Sequence, residues 1–312
     1  MGRFRLLDSI DAQVTIDEVD AKMSTEGTGS HGAGIAALLP AEIAKKAEQI
    51  GAQKTRVDAT TLLTLAVLAG AFIALGAMFA TTVLAGANGT VPYGISRLLA
   101  GIEFCLGLIL VIVGGAELFT GNTLMVMAWA AGKVKLREML RAWAIIYVGN
   151  FIGAVGTALL VFLSGQPFNA NGAVAAVAMK LAVDKASLPF DHAFFLGILC
   201  NVLVCLAVWL AIGARTTSDK VLAVLFPVSA FVVAGFEHSV ANMYLIPLGL
   251  FLKAWAPASL WTQIGLPTAE FSALTWSAFF TSLIPVTLGN IVGGGVLVGG
   301  VYWFVYLRPR TE

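Results

Sequence analysis

Two apolar stretches of this chain are too long to cross a membrane as single straight helices. They cover residues 95–131 and 221–251, and each contains the pattern G-x-E-x-x-x-x-N. As one helix the first would be about 55 Å long, against about 30 Å of hydrocarbon in a bilayer. Each stretch must therefore be steeply tilted, broken or re-entrant.

Glycines mark where these stretches would break, because glycine weakens a helix. In the first stretch they are Gly114-Gly115 and Gly121, with Thr120 or Asn122 placed to cap the second half. In the second, Gly235 stands directly before the polar cluster. We therefore predict two broken helices in matching positions.

The composition is typical of a membrane protein with several spans. Of 312 residues, 58% are hydrophobic and 12% are charged, and the mean hydropathy is +0.87. A soluble domain carries about twice that share of charge. No nucleic-acid motif occurs, and the three cysteines have no disulfide or metal spacing, so they are expected to fill the core. We predict an all-α protein with six spans, at 62–84, 95–131, 139–164, 192–212, 221–251 and 276–307.

The remaining segments and the basic residues predict an orientation. Residues 1–37 are polar and indicate a mostly disordered cytoplasmic tail. A short interfacial helix is expected over 40–51, another short helix over 173–183, and a C-terminal tail at 309–312. With the N-terminus inside and six spans, 15 Lys and Arg residues fall inside and 4 outside. Both termini are therefore expected in the cytoplasm.

A second element recurs in the same order as the first. Gly149-Asn150-x-x-Gly153 lies in the third span, and Gly289-Asn290-x-x-Gly293 lies in the sixth. Three spans per half is an odd number, so the second copy would be inserted upside down. Inverted repeats with matching broken helices predict a substrate path near the midplane of the membrane.

Ionisable side chains inside a membrane stretch are costly and point to function. Glu237 and His238 are the only ones within 221–251. A histidine can exchange a proton near neutral pH, which suits a proton donor to a small weak-acid anion. Glu117 and Glu237 would repel an anion, so we expect both to hold their loops in shape by accepting hydrogen bonds from loop N–H groups.

Several stretches together resemble one known family. Gly-Ala-Glu-Leu-Phe-Thr-Gly-Asn at 115–122 and Gly-Phe-Glu-His-Ser-Val-Ala-Asn-Met at 235–243 resemble the two signature loops of the formate/nitrite transporter family. The stretches 196–209, 283–290 and 302–308 are similar to that family as well.

The resemblance covers 38–308 and implies a membrane domain with an aquaporin-like fold. It implies a homopentamer in a bacterial cytoplasmic membrane, with one pore in each protomer. The implied function is pH-dependent passage of formate or a related small monovalent anion together with protons. It implies a channel or carrier without a cofactor rather than an enzyme.

The resemblance also implies roles for particular residues. His238 would be the central proton donor and selectivity element, with Thr120 and Asn201 on the pore and Lys185 in the outer loop, where it would draw in anions. Two apolar constrictions would be formed by Phe104, Leu108, Val204 and Phe231. The loop anchors would be Glu117, Asn122, Glu237, Asn242 and Asn290.

Other functions stay open at this point. Where formate channels often have Thr-Ser-Thr, this chain has Thr120-Gly121-Asn122, which is closer to branches that carry nitrite or hydrosulfide. An aquaporin-like pore for neutral solutes is a further alternative, although the chain has no Asn-Pro dipeptide. A serine hydrolase and a primary pump are disfavoured, because neither G-x-S-x-G nor a phosphate-binding loop is present.

Overall fold

The computed structural model describes residues 37–87 and 90–309. The predicted tails at 1–37 and 309–312 fall outside these residues, apart from Ala37 and Pro309. The helices of the described part are α1 (Pro40–Lys54), α2 (Ala59–Leu84), α3 (Tyr93–Gly114), α4 (Phe119–Asn122), α5 (Val126–Ala130), α6 (Leu136–Leu163), α7 (Ala173–Ala186), α8 (Phe190–Gly213), α9 (Thr217–Ala234), α10 (Ser239–Trp255), α11 (Ala258–Ile264), α12 (Trp276–Ile291) and α13 (Val301–Tyr306).

Six helical segments of the described part are long and apolar enough to cross a membrane. They are α2, α3, α6, α8, α9 and the continuous run from Trp276 to Tyr306. Each corresponds to one of the six predicted spans. The predicted interfacial helix is α1, which begins with Pro40 in its first turn and runs on to Lys54.

Both predicted breaks occur, and both are made in the same way. Gly115 ends α3 with φ 77° and ψ 29°, and Gly235 ends α9 with φ 74° and ψ 26°. This left-handed conformation strains any residue with a Cβ atom, which explains a glycine at each position. The chain resumes a helix four residues later, at Phe119 and at Ser239.

Two details of the first break differ from the prediction. Gly121 lies inside α4 and breaks nothing. The N-cap of α4 is Leu118, so neither Thr120 nor Asn122 caps it. The physical reason is that the first N–H of the helix already has a partner, since Phe119 N donates to Asn150 Oδ1 at 2.8 Å.

Some local structure had no clear signal in the sequence. The helix α11 and the 3₁₀ turns at Thr123–Met125 and Thr268–Phe271 are too short to show a period. Between α12 and α13, the glycine-rich segment Val292–Gly300 is a π-helix. Segments of this kind are rare and are often found at functional sites.

The two halves pack as repeats of one another. In the first half α2 packs against α3 and α6, and in the second α8 packs against α9 and α12. The glycines of the second repeated motif allow backbones to touch: a Cβ atom on Gly153 would lie 2.0 Å from Val67 O, and one on Gly293 would lie 2.2 Å from Ile198 O. The halves meet where α3 contacts α9 and α6 contacts α10. The all-α fold with six candidate spans is thus confirmed, and its two halves repeat one another's packing.

Candidate functional site

Three cavities follow one another through the centre of the helix bundle. We name the cavities by the orientation that the sequence predicts. The outer cavity, of about 60 Å³, shares Phe104, Phe231 and His238 with a central cavity of about 10 Å³. The central cavity shares Leu108 and Leu118 with an inner cavity of about 470 Å³. The series defines a path across the protein with its narrowest part at His238.

All four residues expected at constrictions line this narrow part. Phe104 and Phe231 meet edge to face with ring centroids 5.5 Å apart, and Leu108 and Val204 line the central cavity with them. A cavity needs about 10–15 Å³ to hold one water. The path is therefore closed to a hydrated ion in this conformation.

His238 is the polar group of the central cavity, and the breaks of the two halves meet at its side chain. It is the N-cap of α10, and its Nδ1 accepts a hydrogen bond from Ala241 N at 3.0 Å. Its Nε2 lies 2.9 Å from Thr120 Oγ1 in the other broken helix. Because Nδ1 is an acceptor, the neutral ring carries its hydrogen on Nε2 and donates to Thr120.

An asparagine of the neighbouring span holds each break in place. Asn150 Nδ2 donates to Ala66 O and Glu117 O, at 2.8 and 2.9 Å. Asn290 Nδ2 makes the same pair of bonds to Gly197 O and Glu237 O, at 2.8 and 3.0 Å. Its Oδ1 accepts from Ser239 N at 2.9 Å, as Asn150 Oδ1 does from Phe119 N. Asn150 was singled out in the sequence only as part of a repeated motif.

A lysine and a second asparagine enclose each glutamate. Lys54 Nζ lies 2.7 Å from Glu117 Oε2, and Lys185 Nζ lies 2.7 Å from Glu237 Oε1. Asn122 and Asn242 donate through Nδ2 to these glutamates at 2.8 and 2.7 Å. The carboxylates are thus held by side chains and not by the loop N–H groups we expected, because those N–H groups have other acceptors. Glu117 N bonds to Leu65 O and Glu237 N to Leu196 O. Phe119 N and Ser239 N bond to Asn150 and Asn290.

Lys54 was missed by sequence reasoning. It lies at the end of α1, outside every apolar stretch, whereas its counterpart Lys185 ends α7. Each lysine ends a short helix that precedes the first span of its repeat. Extending the repeat outward from the spans would have found the pair.

Asn201 lies behind the path rather than on it. It is fully buried, and its Nδ2 donates to Thr120 O at 3.2 Å, Thr123 Oγ1 at 3.1 Å and Asn290 O at 2.6 Å. Cys205 adds a sulfur contact to Thr120 O at 3.4 Å. The carbonyl of Thr120 is thereby fixed by residues of the second half of the chain.

The three cysteines are buried and free, as expected for residues that fill the core. Within residues 37–87 and 90–309, no cluster of three His, Cys, Asp or Glu side chains is suited to a metal ion.

Known proteins match both this sequence and this fold. The family model for formate/nitrite transporters matches residues 41–304. The formate channel FocA of Escherichia coli (strain K12) is 44% identical over 276 residues, which is 88% of this chain and 96% of FocA. The formate channel FocA of Haemophilus influenzae is 38% identical over 264 residues, which is 84% of this chain and 93% of that protein.

A solved structure described as a pentameric formate channel with formate bound has a similar fold. Its TM-score is 0.76 at 42% sequence identity, over 80% of this chain and 98% of the other. The fold and the path define a membrane channel or transporter. This chain belongs to the formate/nitrite transporter family.

Proposed function

We propose that this protein is a pH-dependent channel for formate and related small monovalent anions. One observation carries the proposal. The only polar side chain lining the central cavity among the described residues is His238, hydrogen-bonded to Thr120 between apolar constrictions. The 44% identity to a formate channel supports formate as the substrate.

The mechanism follows from the cost of moving a charge past apolar rings. A bare carboxylate entering the central cavity loses its water without gaining an equal partner. A protonated His238 can transfer one proton to a carboxylate oxygen, which leaves a neutral ring and a neutral acid. The acid then crosses the constriction and releases the proton to water on the far side.

The contacts of His238 favour such a transfer. In a protonated ring, Nδ1–H would face the donor Ala241 N–H, which now bonds to Nδ1 at 3.0 Å. Losing the proton restores that bond, so the ring tends to give it up. Thr120 Oγ1 holds the Nε2 side of the ring and, among the described residues, donates its own hydrogen to no protein acceptor. Thr120 itself lines none of the three cavities and is fully buried, so we assign it the role of orienting the His238 ring.

The assembly and location follow from the family and the charge pattern. We place the protein as a homopentamer in a bacterial cytoplasmic membrane, with 38–308 as its membrane domain and both termini in the cytoplasm. The pentameric formate channel of similar fold and the excess of Lys and Arg in the inner segments support this placement. In this proposal protons and small anions are its substrates and no bond of the anion's carbon is broken, so it is not an enzyme.

Flux into proteoliposomes at two pH values tests the proposal. Formate, nitrite, hydrosulfide and acetate would be compared for the wild type, His238→Ala and Thr120→Val. His192→Ala is the matched control, because His192 lies exposed at the start of α8. We expect formate to lead, and acid pH to accelerate its entry only while His238 is present.

Other outcomes would change the proposal in specific ways. If nitrite or hydrosulfide moves fastest, the assignment of formate as the preferred substrate is wrong, and the proposed pore mechanism is retained. If His238→Ala keeps the pH dependence of the wild type, the proton-donor role is wrong. If only water moves, the protein is a pore for neutral solutes.

A further inference from the structure

The outer cavity is lined by two cations, but their surroundings differ. Lys185 and Arg97 both line it, together with Phe104, Phe231 and His238. Lys185 is already paired, since its Nζ lies 2.7 Å from the carboxylate of Glu237, which is 3% exposed. Its positive charge is thus largely cancelled at short range.

Arg97 has no such counter-charge. Among the described residues its only hydrogen-bond partner is the carbonyl oxygen of Val232, in the last turn of α9, and no carboxylate lies within 4.0 Å of it. Its buried Nε has no partner. A guanidinium keeps its positive charge at physiological pH and offers five N–H donors. Arg97 is therefore the uncompensated cation of this cavity.

The position of Arg97 also relates it to the second break. A Cβ atom on Gly235 would lie 3.6 Å from Arg97 Nη2, so the guanidinium stands over the turn that leads to His238. Its bond to the end of α9 is favourable because carbonyl groups accumulate there. An anion held beside it would lie directly outside the Phe104–Phe231 constriction.

From these contacts we propose that Arg97, rather than Lys185, captures the anion in the outer cavity before it meets His238. The ligand is a small monovalent anion with oxygen acceptors, such as formate, which a guanidinium can bind through two N–H groups. Lys185 holds Glu237 and thereby the shape of the second break. This assignment rests on the proposed function and names a specificity residue for it.

Concentration-dependent flux into proteoliposomes tests this role. Arg97→Gln keeps an N–H donor for Val232 but loses the charge, and Arg97→Lys keeps the charge. We expect Arg97→Gln to raise KM about tenfold with a smaller change in maximal rate, which is the low end of the effect of a focused charge on association. High salt screens the charge of Arg97 and should therefore reduce the difference in KM between the wild type and Arg97→Gln. Arg97→Lys keeps the charge but not the paired N–H groups, so it should raise KM less than Arg97→Gln does.

Lys180→Gln is the matched control, because Lys180 is exposed on α7 and does not line the cavity. If Arg97→Gln behaves like Lys180→Gln, Arg97 does not capture the anion. If Arg97→Gln and Arg97→Lys are equally impaired, with loss of maximal rate and an unchanged KM, the role of Arg97 is only to hold α9. The wild type separates the two proposals: if it carries no anion, both fail, and if it carries one, the variants test Arg97 alone.

Discussion

In the first half of the molecule, Asn150 binds the start of a broken helix while Lys54 and Asn122 bind its glutamate, Glu117. In the second half, Asn290, Lys185, Asn242 and Glu237 make the same contacts at nearly the same distances. These two sets of residues form what we call the frame. The frame is symmetric because both breaks present the same problem, namely a buried turn whose N–H and C=O groups need partners.

The side chains that the frame presents to the path are different in the two halves. The residue after Glu237 is His238, and the residue after Glu117 is Leu118. Thr120 occupies the place that Val240 occupies in the second half, and both are fully buried. The polar groups near the path, His238 and Thr120, are therefore residues that differ between the two halves. The residues that the halves share hold the breaks in place.

The largest effect on stability is expected where the frame loses a charge. Glu237→Gln leaves the ammonium of Lys185 without its partner, and removing one member of a buried pair costs about 3–5 kcal/mol. Glu117→Gln should cost less, because Lys54 is 29% exposed and Lys185 only 16%. Thermal unfolding in detergent measures both. If Glu117→Gln unfolds at a lower temperature than Glu237→Gln, the exposure of the lysine does not determine the cost of losing the pair.

The asparagines of the frame should give smaller and matched effects. Asn150→Ala orphans the N–H of Phe119, and Asn290→Ala orphans the N–H of Ser239. Each unsatisfied buried group costs about 1–3 kcal/mol. The same unfolding assay should give similar losses for the two variants, with the exposed Asn169→Ala unchanged as control. A large loss in only one half would mean that the frame is not energetically symmetric.

Substitution of Gly294 tests contacts that differ between the two halves. A Cβ atom on Gly294 would lie 2.1 Å from Thr123 Oγ1 and 2.4 Å from Asn201 Nδ2, whereas Ala154 at the equivalent place in the first half is accommodated with 0% exposure. Gly294→Ala should cost about 1–3 kcal/mol by overpacking. It should also slow formate flux, because it displaces the groups that fix Thr120. Ala154→Gly is the control, with a cost of about 1 kcal/mol in a helix and no specific loss of flux.

The smallest effect concerns the starts of the first spans. Asp58 caps α2 through a bond from Thr61 N at 3.0 Å, while Pro189 stands at the equivalent position before α8 and makes no side-chain bond. Hydrogen bonds from Thr61 lower the pKa of Asp58 below 3.8. A lowered pKa in the folded state adds stability above the unfolded value, and this stability is lost as the pH falls through the folded value.

The Asp58→Ala variant measures this contribution. Its melting temperature should lie slightly below that of the wild type at neutral pH, and the gap should narrow as the pH falls below the ordinary pKa of an aspartate and through the lowered pKa of Asp58. A gap that stays constant with pH would show that the charge of Asp58 does not contribute.

Much of this architecture was predictable because membrane folding is strongly constrained. A segment in lipid must satisfy its own backbone groups, so long apolar runs predict helices and glycines within them predict breaks. The repeated motifs predicted two matching halves, and the pair Glu237–His238 predicted a functional site. The prediction of a helix break at Gly121 was wrong. The sequence does not reveal that Asn150 accepts the hydrogen bond from Phe119 N and so holds the start of α4.

The sequence by itself determined the spans, the two breaks, the repeat and the family. Only the tertiary structure decided the partners: that Lys54 and Lys185 neutralise the glutamates, that Asn201 binds the back of Thr120, and that Arg97 faces the outer cavity without a counter-charge. The physical reason is that periodicity and glycine placement are local properties. A hydrogen bond such as that between Thr120 and His238 joins residues 118 positions apart and exists only once both halves are packed.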